Sequence, residues 1–137
     1  MKSPIQAILR NALFLVAAGA CATGEAPIDR APAKAARRGN PYMADERART
    51  AGRKLFRREC AECHGENAAG LRKAPPLNVP IVTNAPAGAI FWVLRNGSIC
   101  EGMPSFAHLP EPQRWQIVTY LQSLQSTKSG SITVAAP

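Results

Sequence analysis

Residues 60–64 read Cys60-Ala61-Glu62-Cys63-His64. Two cysteines three positions apart, followed directly by a histidine, form the attachment pattern for a covalently bound c-type haem. Two thiols on one helical turn can each add to a vinyl group on one porphyrin edge, while the adjacent imidazole reaches the iron. The motif therefore predicts one haem c held through Cys60 and Cys63, with His64 as the proximal iron ligand.

Without the histidine, the same two cysteines would also fit a thioredoxin-like redox pair or half of a zinc site. A zinc site needs a second pair of cysteines or histidines. The remaining candidates are Cys21, Cys100 and His108, which are not paired along the sequence. The haem interpretation is therefore favoured.

The first 20 residues have the layout of a secretory signal peptide. Lys2 and Arg10 precede an apolar run over residues 12–18, which ends in small residues. A membrane span needs about 20 apolar residues, and this run reaches only about half of that length. We expect an exported, periplasmic protein, with a buried N-terminal helix as the alternative.

Cys21 directly follows the small residues 18–20, an arrangement that resembles the lipobox of a bacterial lipoprotein. In such proteins the cysteine is acylated and becomes the new N-terminus. Ordinary cleavage after Ala20 or Ala22 fits almost as well. We expect membrane tethering by a lipid at Cys21, and export agrees with a haem that is normally attached outside the cytoplasm.

The formal net charge of +8 is unevenly distributed. Ten lysines and arginines lie between Arg30 and Arg58 against Asp45 and Glu46, whereas five basic and five acidic residues balance from Glu59 onward. Basic segments can bind nucleic acid, but an exported chain seldom meets it, so we expect no nucleic-acid partner. An acidic protein surface or anionic lipid fits better, and a simply solvated face is the alternative.

One domain is predicted over residues 45–125, between a linker and a tail. Residues 21–44 are predicted to be a flexible basic linker, because prolines, alanines and scattered charges occur there without an apolar period. Residues 126–137 are predicted to be a short C-terminal tail.

Three helices are predicted within the domain. Apolar residues at three- and four-residue spacings indicate a helix from Asp45 to Cys60, with Asp45 as a candidate N-cap or first-turn residue. Two more helices are predicted over 84–97 and 111–125. Gly52 lies on the apolar face of the first helix. A glycine inside a helix costs about 1 kcal/mol relative to alanine, so we expect another helix to approach closely there. Such short helices form a weak core, which a central haem would complete.

Four features in order make residues 45–125 similar to class I cytochromes c. They are Gly52-xxx-Phe56-xxx before the Cys60–Gly65 motif, the Pro75-Pro76-Leu77 turn, the Gly102-Met103-Pro104 loop, and a closing helix with Trp115, Tyr120 and Leu121. The resemblance implies an all-α fold in which three main helices and their loops wrap around one covalently bound haem.

The resemblance also implies the iron ligands. Cys60 and Cys63 would form the thioethers, His64 would be the proximal ligand, and Met103 would supply the sixth ligand through its sulfur. His108 is the rival for the sixth position, but Met103 lies in the loop where the family places its distal ligand.

The turn formed by Pro75, Pro76 and Leu77 belongs to the implied cofactor-binding set. The carbonyl of Pro75, two residues before Leu77, would orient the His64 imidazole, and Pro76 is the nearby alternative. Metal-bound histidines commonly donate their second ring N–H to such an acceptor.

Cys100, three residues before Met103, has no counterpart in the resemblance. A reduced small residue in the loop is the simplest expectation. A disulfide with an unlipidated Cys21, or a redox or partner-linking role, are the alternatives.

An iron with both axial positions filled by the chain has no open site for substrate, so we expect an electron-transfer protein and not an enzyme. Its closing segment resembles cytochromes that accompany quinoprotein dehydrogenases, which suggests a dehydrogenase donor and an oxidase or another cytochrome as acceptor. A small haem enzyme or gas sensor with a labile sixth ligand is one alternative. A cytochrome subunit that anchors a larger dehydrogenase or oxidase complex is the other.

Overall fold

Helices form the regular secondary structure of residues 24–72 and 74–124, which are the residues that the computed structural model describes. In chain order they are α1 (Ala33–Ala36), α2 (Glu46–Glu59), α3 (Ala61–His64), α4 (Pro80–Thr83), α5 (Ala87–Asn96), the 3₁₀ helix η1 (Ile99–Glu101) and α6 (Glu111–Ser123). Within these residues there are isolated β-bridges but no named strand. The predicted all-α fold is confirmed.

The three predicted helices correspond to α2, α5 and α6. Asp45 caps α2 as predicted, because its side chain accepts hydrogen bonds from the backbone N–H groups of Arg47 and Ala48 at 2.8 and 3.0 Å. The second helix begins later than predicted. Asn84 is the C-cap residue of the separate short helix α4, and α5 begins three residues later, at Ala87.

 Pro86, the residue before α5, has φ of −53 and ψ of 130 degrees. Because this backbone is not helical at Pro86, α5 begins only at Ala87.

The tightest packing in the fold is between α2 and α6. A Cβ atom on Gly52 would lie 1.9 Å from the backbone carbonyl oxygen of Gln116 and 3.1 Å from Cβ of Tyr120. One turn later along α2, the rings of Phe56 and Tyr120 are 5.3 Å apart between centroids. The close helix approach predicted from Gly52 is therefore present, and it fixes where the end of α2 lies.

The centre of the core is formed by side chains from α2, α5 and α6. Phe56, Phe91, Ile117 and Val118 are the largest fully buried side chains among the described residues. Phe91 stacks on Trp115 with ring centroids 4.1 Å apart. This contact joins α5 to α6.

Arg114 is a buried charged residue that the sequence did not single out. Its guanidinium Nη1 donates to the backbone carbonyls of Leu109 and, at 3.0 Å, Ala107, and the group lies 5.1 Å from the Phe91 ring centroid. Arg114 lies three residues before Ile117 and four before Val118, which places it on the apolar face of α6. This spacing was the available signal in the sequence. The residue ties down the loop that precedes α6.

Residues 24–44 are packed against the domain, so the prediction of a flexible linker is wrong for this segment. Helix α1 lies on α5, because a Cβ on Gly88 would be only 2.1 Å from the carbonyl oxygen of Ala35. Asn40 donates through Nδ2 to Oγ1 of Thr119 at 2.9 Å. The composition of the segment suggested a solvated linker. Its contacts are made by backbone atoms and short side chains, so they produce no periodic pattern of apolar residues in the sequence.

Arg38 holds the same segment to the start of α6. Its guanidinium forms an ion pair with Glu111 at 2.6 Å and lies 4.8 Å from the ring centroid of Phe91 and 5.3 Å from that of Trp115. Hydrogen bonds from Arg38 and then Trp115 lower the pKa of the Glu111 carboxyl below its usual range. Arg38, one of the basic residues of this segment, therefore contributes to the packing of the fold.

The predicted signal peptide over residues 1–20, the candidate lipidation site Cys21 and the predicted tail over 126–137 lie outside the described residues. Across residues 24–72 and 74–124, no helix combines the length and apolar character needed to span a membrane.

Replacing Gly52 by Ala tests the helix crossing. The added methyl group would overlap a backbone carbonyl of α6, so we expect a loss of about 1–3 kcal/mol in the free energy of unfolding, measured by urea denaturation of the holoprotein. At an uncrowded helical site the same change would stabilise by up to about 1 kcal/mol. Gly39→Ala is the control, because nothing lies within 4 Å of a Cβ there. Equal stabilities of the Gly52 and Gly39 variants would contradict the crossing.

Candidate haem-binding site

The Cys60–His64 motif lies at the junction of α2 and α3. The N–H of Cys60 donates to the carbonyl of Phe56 at 2.8 Å, which closes α2, and the N–H of His64 donates to the carbonyl of Cys60 at 2.9 Å. Both cysteines and the histidine thus lie on one helical turn. The α2–α6 crossing fixes the position of this turn in the fold.

The two thiols differ in their surroundings. Both are free, but Cys60 is buried and Cys63 is exposed. Burial first, and then the neighbouring Glu59 and Cys63, together raise the pKa of the Cys60 thiol to about 12. Thiolates are the species that bind metals and attack disulfides. In the absence of a metal, Cys60 is therefore a buried, neutral thiol and a poor nucleophile for a thioredoxin-like redox pair.

The imidazole of His64 is oriented by a backbone carbonyl. Its Nδ1 lies 2.9 Å from the carbonyl oxygen of Pro75. A carbonyl only accepts hydrogen bonds, so Nδ1 carries the proton and Nε2 keeps its lone pair for a metal. Of the two prolines that the sequence left open, Pro75 is the one in contact with the ring.

The loop that carries Pro75 is held by its own hydrogen bonds. The N–H of Gly70 donates to the carbonyl of His64 at 2.8 Å, and the N–H of Leu77 donates to the carbonyl of Ala68 at 2.8 Å. Gly70 has a φ of 81 degrees, and a Cβ there would lie 2.9 Å from the carbonyl oxygen of Ala74. Leu77 is half-buried against the core. The loop's own hydrogen bonds thereby hold the acceptor for His64 in position.

Met103 is held by backbone pairing on the loop after α5. Its N–H donates to the carbonyl of Ser98 at 3.0 Å, and its carbonyl accepts from the N–H of Ser98 at 2.9 Å. Gly97 and Gly102, with φ of 74 and 82 degrees, make the turns on either side. The Met103 side chain is half-buried and packs against the core.

The rivals of Met103 are more exposed. His108 is on the surface, with its ring 5.9 Å from that of Phe106, and Met43 is 76% exposed. Within residues 24–72 and 74–124, no cluster of three or more histidine, cysteine or acidic residues could hold a metal ion. The described residues therefore offer no alternative metal centre of that kind.

Cys100 lies in the same loop as Met103 and is disulfide-bonded. The expectation of a reduced cysteine is therefore wrong. The alternative pairing that the sequence suggested involves Cys21, which lies outside the described residues. The disulfide adds a covalent restraint to the loop.

One family model, described as cytochrome C oxidase, cbb3-type, subunit III, matches residues 47–121. The match covers more than half of the 137 residues and includes both the Cys60–His64 motif and the Met103 loop. No curated protein matches the chain. The chain therefore belongs to the cbb3-type cytochrome c oxidase subunit III family, and its c-type cytochrome domain implies haem c as cofactor and electron transfer as its role.

Proposed function

We propose that this protein is an exported monohaem cytochrome that carries single electrons between a periplasmic or membrane dehydrogenase and a respiratory acceptor. The observation that carries the proposal is the hydrogen bond from His64 Nδ1 to the Pro75 carbonyl. It prepares Nε2 as a ligand on the same helical turn as two free thiols. In this proposal Cys60 and Cys63 hold the haem covalently, and His64 and Met103 are its axial ligands.

The residues present fit this cofactor. Cys60 and Cys63 are unoxidised and close on one turn, and His64 has its proton on the nitrogen away from the metal-binding side. A bound haem c supplies one-electron redox chemistry at its iron.

Met103 favours a carrier over an enzyme. With His64 and Met103 both committed as ligands, the chain leaves no position for a substrate at the iron. A thioether ligand and apolar surroundings both raise the reduction potential. We infer a fairly positive potential, which suits delivery of electrons to a terminal oxidase.

The outer face of α2 is the surface we propose for docking. Among the ion pairs of the described residues, Arg49, Arg57 and Arg58 are each paired with a glutamate, and none involves Arg53 or Lys54. Both of these side chains are exposed. An acidic surface on a partner protein is complementary to them.

A second candidate function is a cytochrome subunit within a larger oxidase complex. The description of the matching family, which names an oxidase subunit, favours it. Copurification of the protein with an oxidase from membranes would support this candidate, whereas a protein that is isolated alone and still exchanges electrons would support the mobile carrier.

Membrane tethering through a lipid at Cys21 is the alternative to a disulfide between Cys21 and Cys100, because one sulfur atom cannot carry both bonds. The small residues that precede Cys21 support the lipid. The packed segment begins only a few residues later, so a lipid there would hold the domain close to the membrane. Mass spectrometry of the mature N-terminus checks it: we expect an acylated Cys21, and an unmodified start at Ala22 or Thr23 would exclude lipidation.

Replacing Met103 by Ala tests the ligand assignment. We expect the ferric protein to lose its sulfur-to-iron charge-transfer absorption, to bind cyanide rapidly and to have a lower reduction potential. Met43→Ala is the matched control, because Met43 is highly exposed. An unchanged spectrum in the Met103 variant would exclude this residue as the ligand. Rapid cyanide binding by the unaltered protein would instead favour the haem enzyme or gas sensor.

Charge removal on α2 tests the docking face. We expect the double variant Arg53→Gln, Lys54→Gln to be reduced more slowly by its partner at low salt, with the difference shrinking as salt is added. The double variant Arg37→Gln, Arg95→Gln removes the same charge elsewhere and serves as control. Equal rates for the two double variants would favour a merely solvated face.

A further inference from the structure

Arg30, from the segment before α2, reaches the loop that carries Met103. Its Nη2 donates to Oε1 of Glu101 at 2.5 Å and to Oγ of Ser98 at 3.1 Å. Ser98 Oγ in turn donates to the other carboxylate oxygen of Glu101. The three side chains form a closed network, which we call the Arg30 clamp.

The Arg30 clamp is less exposed than an ordinary surface ion pair. Ser98 is 6% exposed and the Arg30 side chain is 26% exposed, whereas the Glu101 side chain is 45% exposed. Exposed ion pairs contribute little because solvent screens them, whereas hydrogen bonds to charged groups in partly buried sites contribute more. The part-buried hydrogen bond from Arg30 to Ser98 is therefore the contact of the clamp that restrains the loop most.

The Arg30 clamp acts on the residue that is paired with Met103. Ser98 exchanges two backbone hydrogen bonds with Met103, and the same Ser98 receives the Arg30 guanidinium on its side chain. Glu101 lies on the turn between them. Arg30 thus holds both the side chain of the pairing residue and the turn that leads to Met103.

Arg30 is itself held in place from both sides. Ile28 is half-buried against the core, and the N–H of Ala31 donates to the carbonyl of Ile28 at 3.2 Å. Helix α1 follows directly and packs on α5 at Gly88. The guanidinium therefore projects from an anchored segment.

We propose that Arg30 is a positioning residue that keeps Met103 at the iron, and that residues 24–44 are a functional part of the cytochrome domain. This inference rests on the proposed His64 and Met103 ligation. The segment lies before residues 47–121, the part that the family model matches. It would therefore be a feature of this chain added to the family domain.

Ligand exchange at the ferric iron tests the proposal. Imidazole can bind only when Met103 has left, so its binding rate reports the fraction of molecules with an open loop. We expect Arg30→Gln holoprotein to bind imidazole about three- to tenfold faster than the unaltered protein, and Arg30→Lys to lie between the two. Arg38→Gln is the matched control, because Arg38 holds the same segment through Glu111. It should bind imidazole at the unaltered rate.

A double variant separates the clamp from general loosening. In a Glu101→Ala background, removal of Arg30 should have a smaller effect, because the carboxylate partner is already lost and the hydrogen bond to Ser98 remains. An Arg30→Gln rate equal to that of the unaltered protein would overturn the proposal and show that the Cys100 disulfide and the Ser98 pairing hold the loop without Arg30. Equal acceleration by Arg38→Gln would also overturn it.

Amide hydrogen exchange distinguishes failure of this inference from failure of the proposed function. If the unaltered protein itself lacks the sulfur-to-iron absorption, the proposed ligation fails. The amides of Ser98 and Met103 still report the loop in that case. Faster exchange at both in Arg30→Gln, but not in Arg38→Gln, would support the clamp, and unchanged exchange would overturn it.

Discussion

The fold depends on the close crossing of α2 and α6 at Gly52. No side chain fits between this glycine and the Gln116 carbonyl, so the two helices meet through their backbones. Phe56 and Tyr120 then pack one turn further along. Because α2 ends directly before Cys60, the crossing determines where the thiols and His64 are presented.

The local parts of this protein could be predicted from its sequence. The Cys60–His64 spacing, the Asp45 cap and the Gly52 approach each depend on residues that are near in sequence or unusual in their position. The packed segment 24–44 could not be predicted, because its contacts join residues about 70 positions apart. Arg30 binds Ser98 and Glu101, and Arg38 binds Glu111. In the sequence these arginines look like solvated charges.

The candidate site also has some features that could be predicted from the sequence and others that could not. The acceptor for His64 followed from the Pro75-Pro76 turn, since a fixed carbonyl without a competing N–H suits this task. The buried Arg114 and the Arg30 clamp were missed, because a charged residue gives no sign in the sequence of the carbonyls or hydroxyls that will receive it. Arg30 contacts the chain just before Met103, and Arg114 contacts the chain after it. The residues that were missed therefore affect the rigidity of the loop, and the proposed ligands stay the same.

In the proposed function, His64 and Met103 bind one haem iron from its two sides and leave no open position for a substrate. The most direct measurement is a proton NMR spectrum of the ferrous protein with its methionine methyl groups labelled with carbon-13. A methyl group directly above a haem is strongly shifted upfield by the ring current. The account predicts one such methyl resonance, which disappears in a Met103→Leu variant. A ferrous spectrum with every methionine methyl at its ordinary position would contradict it.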